Sequence, residues 1–392
     1  MTAPSPTGAL PAPLVAPDYG ADSLDRVLPA ALGALGLVAA GSVAARERFG
    51  LPAADRVCVV LVDGLGLELL RERAGHAPFL RRRLPDARTL TSGFPSTTAT
   101  SLGSFGTGRP PGRTGLLGYT VRNPATGGLA NLVSWTGLDP APAWQREPAL
   151  LATAADAGVA VTSVGPARFA GSGLTIAALD GGEYVPAESL DDRVAAAARA
   201  LRAADGPALV YLYWGDVDKA GHHHGWRSPE WGDALSELDA GLDRLARTLP
   251  AGSLLLVTAD HGQVDVDHDR LVDVAATPEL AADVALVAGE PRASHVHLTD
   301  EARVDAERVR DRWQRVLGDA ALVRTGAEAV AAGWFGEVAE HVRPIVGDLV
   351  VAALGTAGLV DSRTQTPESM RLAGMHGSLT PGEMLVPLVV VG

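Results

Sequence analysis

Short, unbroken apolar runs separated by longer amphipathic stretches dominate the chain from Arg56 onward. Val57 to Val62, Leu209 to Trp214 and Leu254 to Val257 are too short for ordinary helices and lack the polar alternation of a half-exposed strand. Strands buried on both faces have this composition, because helices cover a parallel sheet above and below. The stretches between carry helix signals. Ser228-Pro229-Glu230 supplies an N-cap, a first-turn proline and an acid for the helix dipole, and Leu235, Leu238, Leu242, Leu245 and Leu249 then recur at steps of three and four. Ser189, followed by Asp191 and Asp192, opens a second helix through the alanines to Ala204, and Gly206 ends it before the strand at Leu209. The alternation predicts an α/β fold, a mostly parallel central sheet flanked by helices, with a last strand in the run Leu385 to Val391.

Two regions depart from this alternation. Residues 1 to about 20 are proline-rich and read as a loose arm, followed by an Ala/Leu/Gly-rich segment to Val38 with helical character. Residues 1–40 are therefore expected to form an arm and helical segment, and 41–392 the main domain. Between His261 and His376, a helical stretch from Glu301 to Leu317 and strand-like stretches at Val284 to Ala288 and Leu349 to Ala353 predict a small inserted subdomain at about 280–345. No fixed-period repeat is present.

Composition narrows the chemistry. Hydrophobic residues make up 47% of the 392 and charged ones 20%, enough apolar mass for a large core. A net charge of −13, with no basic run interleaved with aromatics, opposes binding to a nucleic-acid duplex. An anionic small substrate would need a local reversal of the field, which bound divalent cations supply. The single cysteine, Cys58, lies inside the first apolar run, so no intramolecular disulfide forms and a buried, inert thiol is expected. Met1 to Ala16 has neither the basic start nor the apolar segment of a signal peptide, and no stretch approaches the ~20 apolar residues of a membrane span. The expected location is the cytoplasm, with no membrane partner.

Each of the three apolar runs leads to acid: Asp63, then Asp216 and Asp218, then Asp260. Ligands bind beyond the carboxyl ends of parallel strands, so three acids together point to a site, although any one is equally a helix cap or turn residue. Asp218 and His222 are four apart, a spacing that brings carboxylate and imidazole to one side as a divalent metal requires, and as a surface pair also does. Of His222, His223 and His224, only one can point into a site, and His222 is chosen. Asp260-His261-Gly262 ends the third run where glycine permits a tight turn, and His376 sits between glycines before the last strand. Phe94 to Ser101 is a hydroxyl-rich helix entry whose free N–H groups suit a phosphoryl oxygen, although taken alone its hydroxyls read first as an N-cap.

The set Asp63-Gly64, the hydroxyl segment ending in Thr107-Gly108, Asp218-x-x-Gly221-His222, Asp260-His261-Gly262 and His376-Gly377 resembles the alkaline phosphatase superfamily. It looks closest to the type I nucleotide pyrophosphatase/phosphodiesterase branch, in that family's order, from Arg56 to Gly392. The resemblance implies two divalent metal ions, zinc by the family's habit. Asp218, His222 and His376 would hold the first, and Asp63, Asp260 and His261 the second together with the nucleophile. It implies a small phosphorylated substrate, such as a nucleotide, attacked by a threonine.

The branch places that threonine directly before Phe-Pro, where this chain has Gly93. Counting ten residues back from Gly108, the superfamily's other anchor, selects Thr98, with Thr97 behind it. The branch's phosphoryl-contacting asparagine is also missing, leaving Tyr119 or Asn123 as substitutes. Among rival activities, a phosphomonoesterase would draw charge from Arg109 or Arg113, a phosphonate hydrolase would use the same metals, and a noncatalytic metal-binding module would keep the metals alone. Trp135, Trp144 and Tyr119 are available as an aromatic platform for a base, or as packing. Gly-x-Ser-x-Gly is absent, and Gly64-Leu65-Gly66 lacks a third glycine, which disfavours a serine hydrolase and a dinucleotide enzyme.

Overall fold

A computed structural model describes residues 13–39 and 41–392. Seven strands form the main sheet: β1 (Arg56–Val62), β2 (Arg88–Thr91), β3 (Ala160–Gly165), β4 (Glu183–Pro186), β5 (Ala208–Trp214), β6 (Ser253–Ala259) and β7 (Leu385–Val391). Their order is β2-β7-β6-β1-β5-β3-β4. The five strands from β6 to β4 are parallel, and β7 runs antiparallel to both β6 and β2. β1 lies at the centre, and Val57 through Val62 are inaccessible to solvent, as its unbroken apolar run requires.

The principal helices are α1 (Val27–Ala34), α2 (Thr98–Thr107), α3 (Leu190–Ala203), α4 (Asp216–His224), α5 (Pro229–Thr248) and α6 (Ala306–Leu317). Ser189 and Ser228 cap α3 and α5 through their side chains, and Leu235, Leu238, Leu242 and Leu245 of α5 are buried. None of the described helices is long and apolar enough to cross a membrane.

A second sheet of six strands is antiparallel, in the order Ala321–Thr325, Leu349–Ala353, Ala293–Leu298, Val284–Glu290, Thr120–Arg122, Leu129–Asn131. It takes three strands from the 280–345 span, continues past it into Leu349–Ala353, and is extended by a hairpin from much earlier in the chain. Gly289 pairs with Thr120 to make that join. Val296, Leu298 and Leu349 form a small separate core with Trp313 and Val309 of α6.

Two expectations are corrected. The expected arm ends early: residues 1–12 lie outside the described residues, but from Leu14 the chain packs onto the body. Val15 N–H donates to the Leu379 carbonyl at 2.8 Å, and the Tyr19 hydroxyl donates to the Trp334 carbonyl and accepts from Phe94 N–H, both at 2.9 Å. Proline content marks a chain that cannot be helical, and such a chain can still be bound. The helix expected from Glu301 to Leu317 is broken: Asp300–Arg303 is one turn, and Asp305 then caps α6 by accepting from Arg308 N–H at 3.3 Å. An aspartate at an N-cap starts a new helix more readily than it continues an old one.

Candidate active site

The register of the sheet brings the acids together. Val62 is level with Trp214 on β5 and Ala259 on β6, so Asp63 and Asp260 emerge side by side at the same edge. Gly64, at φ +72°, turns the chain so that its N–H donates to Asp260 Oδ1 at 3.1 Å, and a Cβ there would strike Asp218 Cβ at 2.8 Å. Helix α4 starts just past β5 and presents Asp218 and His222 on one face, with His222 Nε2 at 3.3 Å from Asp218 Oδ2. His223 and His224 are exposed. Gly221 is required because the Gln263 amide lies over it, where a Cβ would come within 1.7 Å of Oε1. That amide holds the carboxylate of Asp218.

His376 arrives on the loop after Gly374–Met375, laced to the entry of α2 by Ser96 N–H donating to the Gly377 carbonyl at 2.9 Å. Helix α2 begins at Thr98. Its hydroxyl is 3.3 Å from His261 Nε2 and 3.4 Å from Asp63 Oδ1. Thr97, the N-cap, does not use its side chain to cap the helix.

The tautomers follow from the hydrogen bonds. His222 Nδ1 donates to the Gly374 carbonyl at 2.7 Å, His376 Nδ1 to the Ser96 carbonyl at 3.1 Å, and His261 Nδ1 to the Gly262 carbonyl at 3.1 Å. A carbonyl can only accept, so all three imidazoles carry the proton on Nδ1 and aim the Nε2 lone pair inward. The His222 and His376 Nε2 atoms then face each other at 3.2 Å with no proton between them. His261 Nε2 faces Asp63 Oδ1 at 3.3 Å and Asp260 Oδ2 at 3.5 Å. Asp260 Oδ2 is buried without a hydrogen-bond partner. Such a convergence of lone pairs and carboxylates is repulsive unless cations lie among them, and the donor set fits divalent ions.

Two groups of ligand atoms lie within 4.8 Å of one another: Asp218, His222 and His376, and Asp63, Asp218 and His261. Asp218 belongs to both, and the His261 and His376 rings stack with centroids 3.8 Å apart. Burial raises the Asp63 carboxyl well above its ordinary range, and the Asp260 and Asp218 charges add to the effect. Asp260 and Asp218 are also raised, burial being the largest cause. Burial lowers His376 and His261, keeping both neutral and available as ligands.

A model of the type I phosphodiesterase / nucleotide pyrophosphatase family matches residues 57–379, a span that contains every one of these residues. The chain belongs to that family. Membership places it in the alkaline phosphatase superfamily. Human ectonucleotide pyrophosphatase/phosphodiesterase family member 5 is 33% identical over 96 residues, which is 23% of this chain and only 20% of that protein. The murine member 5 structure superposes with a TM-score of 0.67 at 20% identity, covering 85% of this chain and 87% of its own. It has also been solved as an inactive threonine-to-alanine variant in complex with AMP. Phosphonoacetate hydrolase from Sinorhizobium meliloti 1021, in complex with phosphonoformate, gives 0.67 at 22%, covering 86% and 90%. At these identities the two structures share the fold.

Beside these acids and histidines lies a cavity of about 750 Å³, reached by Thr98, Asp63, Asp218, His222 and His376. Tyr119 lines it and is 48% exposed. Asn123, the other candidate for the missing asparagine, does not: its amide donates to the Gly137 carbonyl and its Oδ1 accepts from Ala125 N–H, holding the hairpin turn. Arg109 and Arg113 are bound to Glu147, and Arg113 to Glu337 as well. Trp144 is buried with its Nε1–H on the Gly115 carbonyl, and Trp135 packs over Gly173, so neither forms a platform in the cavity.

Three residues escaped the sequence reading. Tyr213, read as strand body, donates its hydroxyl to Asp63. Gln263, two residues past His261, positions Asp218, and polar character beside the Asp-His pair was its only signal. Glu290 lies on the second sheet, with Oε2 at 3.7 Å from His376 Nδ1, and burial pushes it up to about 8. Nothing local to its sequence points there.

Proposed function

We propose that the chain is a phosphodiesterase that works with two divalent ions, of zinc type, and through a phosphorylated Thr98. The observation that carries this reading is the Thr98 hydroxyl, placed at the free N-terminus of α2 within 3.3–3.4 Å of His261 Nε2 and Asp63 Oδ1. Asp218, His222 and His376 would hold one ion and Asp63, Asp260 and His261 the other. Bound there, the ions supply the positive charge that an acidic protein needs to receive an anion and to stabilise the attacking and leaving oxygens.

The chain's own part is positioning. Thr98 Oγ1 attacks phosphorus, its new P–O bond forming as the ester P–O bond opposite it breaks; the hydroxyl proton is lost to solvent, and the departing alkoxide takes a proton from solvent and leaves as the first alcohol. The N–H groups opening α2 receive a phosphoryl oxygen. Tyr213 orients Asp63, and Gln263 orients Asp218. Water then attacks the phospho-threonine, returning Thr98 and releasing a phosphate monoester. A diester is favoured over a monoester because no arginine or lysine appears among the residues lining the cavity, and Arg109 and Arg113 are already paired. The murine relative's inactivity on losing a threonine, and its AMP complex, agree with a threonine-dependent reaction on a small phosphorylated ligand.

The test compares bis-nitrophenyl phosphate with nitrophenyl phosphate, using ion-loaded, chelated and Thr98→Ala protein, with mass-spectrometric mapping of a trapped intermediate. Turnover of the diester, its loss on chelation and on substitution, and phosphate on Thr98 are expected. Retained metal with no turnover of any ester would make the chain a metal-binding module, and phosphate on Thr97 would move the nucleophile.

A further inference from the structure

The floor of the cavity carries a row of side chains that the reaction at Thr98 does not use. Tyr184 on β4, Ser163 on β3 and Tyr211 on β5 share one register across three parallel strands, so they stand side by side on one face. All three line the cavity. The Tyr184 hydroxyl is spent on the Pro166 carbonyl at 2.9 Å. Those of Ser163 and Tyr211 are not. The two residues are 3% and 4% exposed, and neither oxygen has a hydrogen-bond partner among the described residues. Both oxygens are closed off from solvent, and buried hydroxyls are costly to leave unpaired, so on two residues that line a cavity they mark where a ligand's polar group belongs.

Their distance from the chemistry follows from the strand. Tyr213, whose hydroxyl meets Asp63, is two residues further along β5 on the same face. Tyr211 therefore lies about 7 Å behind it. The wall they share includes the apolar Leu102, Val164, Phe169 and Leu174, with the uncharged Ser172 and Thr175 among them. The one acid of the wall remote from the cluster of Asp63, Asp218 and Glu290 is Asp361, which already carries Arg363 on its carboxylate.

Given the phosphodiesterase reading above, we infer that the cavity takes one uncharged ester substituent, apolar along its length and ending in a neutral hydrogen-bonding group that Ser163 and Tyr211 read. A hydroxyl, amide or carbonyl at that depth finds a donor and an acceptor. A charged tip would shed its water and meet no counter-ion.

The test uses three 4-nitrophenyl aryl phosphates whose second ester group is phenyl, 4-(hydroxymethyl)phenyl or 4-carboxyphenyl. The hydroxymethyl ester should exceed the phenyl ester in kcat/KM by about fivefold, the worth of one neutral hydrogen bond, and the gain should appear in KM. The carboxyphenyl ester should fall below the phenyl ester. In Ser163→Ala and in Tyr211→Phe the hydroxymethyl-to-phenyl ratio should drop towards one, and a ratio taken within each protein cancels any loss of folded material. A ratio unchanged in both variants overturns the subsite, and a carboxyphenyl ester as good as the hydroxymethyl one overturns the exclusion of charge. Calorimetric titration of the same esters into Thr98→Ala protein reads binding without turnover. The expected affinity order there, with no hydrolysis by the unmodified chain, would sink the phosphodiesterase reading and leave the subsite standing; no order in the titration sinks the subsite whatever the rates.

Discussion

Replacing Glu383 by glutamine would strip the charge from a carboxylate that solvent does not reach. Glu383 and Arg292 are both fully buried, joined by Nε to Oε1 at 3.0 Å and Nη2 to Oε2 at 2.7 Å. Arg292 sits in the turn between two strands of the second sheet and also donates to the Gly355 and Ala357 carbonyls. Glu383 Oε1 accepts from Ser378 N–H at 3.0 Å, two residues past His376. The pair thus ties the second sheet to the loop that carries a candidate metal ligand. A neutral amide leaves the guanidinium buried with no counter-charge, a change that costs about 3–5 kcal/mol. For a chain of this length the unfolding entropy is about 0.8 kcal/mol/K, so the Tm should fall by about 4–6 °C. Thermal unfolding followed by circular dichroism in chelator keeps bound ions from masking the loss. Replacing both residues by methionine removes both charges and should recover most of it. A single-variant loss below about 1 °C, or a double variant at least as unstable as the single one, would refute the reasoning.

Ion content after dialysis should fall in His222→Ala and His261→Ala but hold in His223→Ala, whose side chain faces solvent; equal losses in all three would contradict the ligand sets. Glu290 holds its proton to about 8 instead of its ordinary 4.5, so the stability it lends the chelated protein is complete below 4.5 and lost as pH rises through 8. Glu290→Gln should flatten the fall in Tm between pH 5 and pH 8, and parallel curves for variant and parent would show that the carboxyl does not titrate this way. Burial pushes the Cys58 thiol up to about 12, so iodoacetamide should label it only after denaturation. Rapid labelling of the native protein would place that strand elsewhere.

Local pattern carried the main sheet a long way. The runs at Val57, Leu209 and Leu254 became β1, β5 and β6 because a strand buried on both faces has no polar position to spare. Asp63, Asp218 and Asp260 were legible for the same reason, since an acid closing such a run stands at the sheet's carboxyl edge. Spacing from Asp218 singled out His222 among its exposed neighbours, while Thr98, whose hydroxyl lies beside Asp63 and His261, was selected only through the superfamily resemblance and its anchor at Gly108.

Contacts between distant segments were decided by packing. Tyr19 closes onto Trp334, Thr120 pairs with Gly289, and Arg292 reaches Glu383, and in none of these does either partner's neighbourhood announce the other. Glu290 enters the site on a strand whose place depends on those joins. Asn123, plausible by composition, was claimed by a hairpin turn. Short-range periodicity records which face a residue must bury, because that depends on its own strand or helix. Which buried face meets which is set by the loops and the summed fit of the whole core, and that fit exists only once the chain has folded.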